Sequence, residues 1–285
     1  MFDFPLALIN FEGTVDLSIL MKFPYFSVNA FCKGSFSGNP AGVCILEDWL
    51  STDELQNMAA QLYFPETAFI FPGKNGVWSI RWFTPKAEVD LCGHATMAAA
   101  HVLFEEGLVT KGAEVVFSSN SGELRVGNDD KNRLSMDFPL LKARNSSVST
   151  ALVEGLGAYP EEVYMGTNCL CVFGDEDTIH ALQPDYRILS SFTSCLGVIV
   201  TAKTSKIGYH FLSRYFAPRV GIDEDHATGS AHCLLAPYWG KKLGKENLVG
   251  YQASPRGAEI RCTIKGDRVL LSGVAETFVR GKMTF

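Results

Sequence analysis

The strongest constraint on this 285-residue chain is that its two halves repeat one pattern. Arg81-Trp-Phe-Thr-Pro85 in the first half is matched by Arg214-Tyr-Phe-Ala-Pro218 in the second. Shortly afterwards each half reaches a turn of small residues, Cys92-Gly-His-Ala-Thr96 and His226-Ala-Thr-Gly-Ser230, and each turn opens a helix. Such repetition means one supersecondary unit used twice, hence two similar lobes. A chance recurrence of a strand–loop–helix module is the competing explanation, and two features weigh against it. The turns carry more polar residues than one helix cap needs, and their small side chains let backbone N–H groups reach a ligand. A helix N-terminus offers unpaired N–H donors and partial positive charge, so it holds carboxylate or phosphate. Related lobes facing each other would bring two such ends to one cleft, a place for a small anionic substrate.

Around the repeat, strands are expected near 25–31, 41–46, 67–71, 77–83, 114–118, 122–127 and 133–138. Ser51-Thr-Asp-Glu54 is a capping box that starts a helix running to about Tyr63. A second helix spans 93–106. The polar stretch 140–149 marks a boundary between lobes 21–142 and 143–285, the last strand being free to return to the first lobe. In the second half a helix is expected at 149–156, strands at 168–173, 197–202 and 209–216, and a helix at 229–242. Helices interleaved with mainly antiparallel strands give an α+β class. In residues 1–20, Asp3, Glu12 and Asp16 stand where a signal peptide is basic, so this segment reads as an N-terminal extension.

Composition excludes several functions. A net charge of -6 with no run of Lys or Arg argues against nucleic acid, although a pocket's local field need not follow the global sign. No apolar stretch approaches the roughly 20 residues of a membrane helix. Eight cysteines without a C-x-x-C pair, several inside apolar runs, read as reduced, buried thiols of a cytoplasmic protein. Cys169 and Cys171 fall in a strand-like run and are expected on opposite faces, which would spoil them as a chelate. The six histidines show no recognised ligand spacing, and neither a G-x-G-x-x-G nor a P-loop occurs, so no metal and no cofactor are expected.

Moving a proton beside a carboxylate or carbonyl needs a base within hydrogen-bond reach and donors where negative charge develops. Glu66 sits at the mouth of an apolar strand; taken alone it is most simply a solvated strand-end carboxylate. His94 fits a helix cap or a packed residue as well as a functional one. Asp225 and Ser230 bracket the second turn, where N-cap and first-turn roles serve equally. His101 and His232 read as packing residues.

Taken in order, Gly38-Asn-Pro-Ala-Gly42, Glu66-Thr-Ala-Phe69, Arg81–Pro85, Cys92–Thr96 and Glu224-Asp-x-x-Thr-Gly-Ser-Ala231 resemble the PhzF-like proteins. The likeness runs from Met21 to the C-terminus and is read as strongest to the eukaryotic phenazine-biosynthesis-like domain-containing proteins. It implies a diaminopimelate-epimerase-like fold, each lobe a sheet wrapped around a central helix with the active site between. It also implies a cofactor-independent isomerase in which Glu66 withdraws and returns a proton. His94, Asp225 and Ser230 would bind and polarise the substrate, and Gly93, Ala95, Thr228 and Gly229 would hold it at the helix starts. The resemblance further implies a homodimer. His226 departs from the family's usual proline. Two other readings stay open: a two-base amino-acid epimerase or racemase using Cys92, and a non-catalytic small-molecule binding or protein-interaction protein.

Overall fold

The computed structural model describes residues 21–129 and 131–284; the extension assigned to residues 1–20 lies outside the described residues. The first half runs β1 (Lys22–Cys32), β2 (Asn39–Ile45), α1 (Thr52–Leu62), β3 (Glu66–Pro72), β4 (Val77–Phe83), β5 (Glu88–Val89), α2 (Gly93–Glu105), β6 (Val115–Ser119), β7 (Gly122–Asn128) and β8 (Leu134–Pro139). The second runs β9 (Arg144–Ser146), α3 (Thr150–Leu156), β10 (Glu162–Met165), β11 (Cys169–Val172), α4 (Glu176–Ala181), α5 (Tyr186–Ser191), β12 (Val198–Lys203) and β13 (Phe211–Ala217). It ends with β14 (Ile222–Asp225), α6 (Gly229–Leu243), β15 (Asn247–Gln252), β16 (Ala258–Lys265) and β17 (Arg268–Thr284).

The pairing repeats as the sequence does. In the first half β2 and β3 are parallel, β3 and β4 antiparallel, and β4 pairs with β6 in parallel across α2. In the second, β11 and β12 are parallel, β12 and β13 antiparallel, and β13 pairs with β15 in parallel across α6. Antiparallel meanders β6–β7–β8 and β15–β16–β17 complete the two units. β17 joins the halves: over its first residues it lies between β16 of the second and β8 of the first, and from Val274 onward it pairs with β1.

α2 and α6 are the central helices. Ten residues of α2, from His94 to Phe104, are buried, so the helix is apolar nearly all round and sheet covers every side. Ala98, Ala99 and Ala100 keep it thin. Glu54 closes the capping box of α1 on Ser51, and Tyr63 ends the helix in the left-handed region at φ 57°.

The repeated arginine is a clamp. Arg81 donates from Nε and Nη2 to the two carboxylate oxygens of Glu88, at 2.7 and 2.7 Å, closing the β4–β5 hairpin. Arg214 does the same to Glu224 at 2.8 and 2.9 Å across β13–β14. Each hairpin leads into a central helix, so each clamp fixes where that helix begins. Arg214 also donates to the carbonyls of Ile179 and Leu182, tying down the end of α4. With the two side chains only 12% and 9% exposed, Arg214→Ala leaves a carboxylate buried without its partner. A loss of about 3–5 kcal/mol in urea unfolding is expected. Arg81→Ala should cost less, because that pair is wetter at 18% and 26%.

The cysteine pair differs from expectation. Residues two apart on a strand share a face, and the buried thiols of Cys169 and Cys171 lie 3.7 Å apart. All eight cysteines are free and buried. No described helix is long and apolar enough to cross a membrane.

Candidate active site

Both central helices begin without a side-chain cap: the N-cap residues Cys92 and Thr228 have extended backbones and supply no capping hydrogen bond. Asp225 is therefore not a cap, and Ser230 lies in the first turn of α6. The two starts open onto one pocket of ≈ 320 Å³. Gly93 and His94 line it from one half, and Thr228, Gly229 and Ser230 from the other. Glu66 and Asp225 complete its polar wall, and Phe138, Leu141, Val220 and Ile222 are among its apolar residues. Among the described residues no Lys or Arg lines it, so a negative group entering would meet positive potential chiefly from the helix-start amides.

Glu66 opens β3, held by parallel pairing to Ala41. Only 9% exposed, it is no solvated strand end. Burial raises its carboxyl to about 8, with the nearby Asp225 charge adding to the rise and a hydrogen bond from Cys92 opposing it. His94 Nε2 lies 3.3 Å from Glu66 Oε2, yet its direction makes no hydrogen bond. Nor is this an ion pair. Burial, then the neighbouring His226, lowers His94 to about 3, so the ring is neutral.

Asn39 sets the tautomer. Its Nδ2 donates to Asp225 Oδ1 at 2.7 Å and to the Ala227 carbonyl at 3.0 Å. The same nitrogen lies 3.2 Å from His94 Nδ1, which accepts and leaves the ring proton on Nε2, facing Glu66. One amide thus joins a residue of α2 to the turn before α6. Gly38 makes this possible: at φ +80°, a Cβ there would sit 2.4 Å from the Ala30 carbonyl oxygen. The second half grips the same turn, Gly38 N–H donating to Gly257 O at 2.7 Å and Arg256 Nε to Gly38 O at 2.8 Å. Asp225 also accepts from Thr228 Oγ1 at 2.5 Å. Burial raises its carboxyl to about 6, and the hydrogen bonds from Thr228 and Asn39 limit the rise.

Of the residues singled out in the sequence, Glu66, His94, Asp225, Ser230, Gly93, Thr228 and Gly229 meet at this pocket, with Ser230 exposed at its rim. Ala95 does not reach it; the residue is fully buried. His101 and His232 lie elsewhere, the latter donating Nδ1–H to the Thr228 carbonyl at 2.8 Å. His226 is half-buried and its Nδ1 has no partner. Two contributors went unseen in the sequence. Asn39 stood inside a turn motif with no role attached. Buried Gln252 accepts from the Thr228 N–H at 2.8 Å and donates to the Asp225 carbonyl at 2.7 Å, from a strand with no visible signal.

Two lobes of this topology, closed around a buried carboxylate at facing helix starts, define the diaminopimelate-epimerase-like fold, and the chain is an isomerase of that class. It belongs to the phenazine biosynthesis-like, or PhzF, family, whose profile matches residues 28–281. An uncharacterized isomerase of Pseudomonas aeruginosa is 42% identical over 92% of this chain and 99% of its own length. The human phenazine biosynthesis-like domain-containing protein is 34% identical, covering 93% of this chain and 100% of its own. The likeness is therefore greater to this bacterial relative than to the eukaryotic one, contrary to the motif reading. A PhzF-family crystal structure from Enterococcus faecalis superposes with a TM-score of 0.88 at 39% identity, over 92% of this chain and 99% of that one.

Proposed function

We propose that the protein moves a proton between two carbons of a small carboxylic acid, with Glu66 as base and then acid. The observation that carries this is the buried Glu66 carboxyl, raised to about 8 and facing the pocket beside a neutral histidine. A base poised near the working pH can both take a proton and give it back. His94 Nε2–H, held by Asn39, is the donor toward charge developing on the substrate. Asp225 is largely ionised at neutral pH and accepts from a hydroxyl or amino group of the ligand. The amides at Gly93 and Gly229 hold the substrate carboxylate, and Thr228 and Ser230 close its polar rim. Every proton moved in this scheme rides on the chain's own side chains, without a cofactor.

The test is incubation with candidate carboxylic acids in heavy water, followed by mass spectrometry. Deuterium entering a ligand is expected with the wild type and with Cys92→Ser. Tight binding with no exchange would favour a non-catalytic binder, and loss of exchange in Cys92→Ser would favour the two-base epimerase. That second reading has one specific observation behind it: Cys233 of α6 lines the pocket as well as Cys92. Both thiols are poor bases, however, Cys233 being pushed up to about 12 by burial and Cys92 well above its ordinary value.

A further inference from the structure

We propose that Glu66, Cys92 and His94 form a binding site for a borderline divalent cation such as Zn²⁺, whose occupancy excludes the substrate and silences the acid/base. One ligand atom from each lies within 4.8 Å of the others, and all three residues are buried. Cys92 Sγ is 3.5 Å from His94 Nδ1, and His94 Nε2 is 3.3 Å from Glu66 Oε2. Zinc bonds of roughly 2.0–2.3 Å to thiolate, imidazole and carboxylate require donors about 3.5 Å apart in a tetrahedron. The two observed spacings involve different ring nitrogens, and an ion takes only one, so the set must close in from separations of up to 4.8 Å to reach that.

The surroundings fit a cation. The pocket wall carries the carboxylates of Glu66 and Asp225 and, among the described residues, no Lys or Arg. Asn39 has two amide protons for three acceptors, and its shorter contacts go to Asp225 and Ala227. Nδ1 of His94 is the nitrogen nearest the thiol, and it would exchange its hydrogen bond from Asn39 for the ion while Asn39 keeps its two shorter ones. On binding, the Cys92 S–H and the Glu66 carboxyl O–H bonds break, both protons leave to solvent, and sulfur–metal and carboxylate–metal bonds form in their place. Thiolate and carboxylate then balance the charge of the ion, and the pocket leaves the fourth position to water. Because C-x-H is the only sequence-local part, with Glu66 far away in the chain, ligand spacing could not reveal this set.

The site stands on geometry and not on the isomerase reading, and its test needs no substrate. The metal-free, phosphine-reduced full chain is titrated with Co²⁺, then with Zn²⁺ as competitor. One equivalent of Co²⁺ should give a thiolate-to-cobalt charge-transfer band that Zn²⁺ removes. Cys92→Ser should abolish the band, and His94→Gln should weaken Co²⁺ binding by roughly tenfold or more. His94→Gln serves on its own if the serine variant does not fold. Cys171→Ser should leave the band intact. No band at all, a band that survives Cys92→Ser or is untouched by His94→Gln, or a band lost in Cys171→Ser would overturn the proposal.

Discussion

Glu66→Gln is expected to cut proton exchange into the substrate by about 10²–10⁴-fold and, at the same time, to make the protein more stable in alkali. Both effects come from one buried carboxyl. Its ordinary value of 4.5 is raised to about 8 in the folded protein. Between those two values the native state keeps a proton that the unfolded chain has released, so stability falls as pH rises through this window. Above about pH 8 the native protein buries an ionised Glu66, a penalty on the order of 2–4 kcal/mol. Glutamine removes it without changing the shape. Urea unfolding at acidic and alkaline pH should show wild type and variant converging in acid and diverging in alkali, the variant the more stable. In wild type, kcat/KM should rise as the base ionises through about pH 8. Exchange unchanged in the variant would remove Glu66 from its role, and equal stability at both pH values would show it to be solvated.

Asn39→Ala should be the next most damaging change at the site. The amide donates to half-buried, ionised Asp225 and fixes the ring of His94, and hydrogen bonds to charged groups are worth about 1.5–3 kcal/mol. A comparable loss of stability and a fall of roughly ten- to hundredfold in kcat/KM are expected. Asp225 loses a hydrogen bond that limits its rise, so its carboxyl should move further above about 6. Carbon-13 NMR of labelled aspartate carboxyls reads that shift directly. A merely structural Asn39 would lower stability and leave the titration of Asp225 and the pH profile where they were.

Much of the architecture could be read from the chain because local signals repeat. The capping box at Ser51, the small-residue turns and the Arg-aromatic-Phe strands each set a nearby structure, and the doubled pattern set the topology. What escaped was decided over distance. Glu66 looks like a wet strand end because the residues that bury it, from Cys92 to Asp225, come from elsewhere in the chain. The repeated arginines were visible, but the carboxylates they clamp depend on hairpins not foreseen at β5 and β14. Short α4 and α5 carry too few turns to show a helical period, although Asp175 and Asp185 cap them. The Cys169–Cys171 placement failed on strand geometry itself.

The long final strand has a consequence for how the molecule is made. β1, near the start of the described residues, takes one of its two neighbours from β17, near their end. The first lobe therefore cannot close its sheet until β17 has been made, and the early half waits with a bare edge open to strand-adding partners. Contacts of such separation slow the search for the native state. The two halves are bound into one biosynthetic unit, and a chain stopped short of β17 releases neither lobe complete.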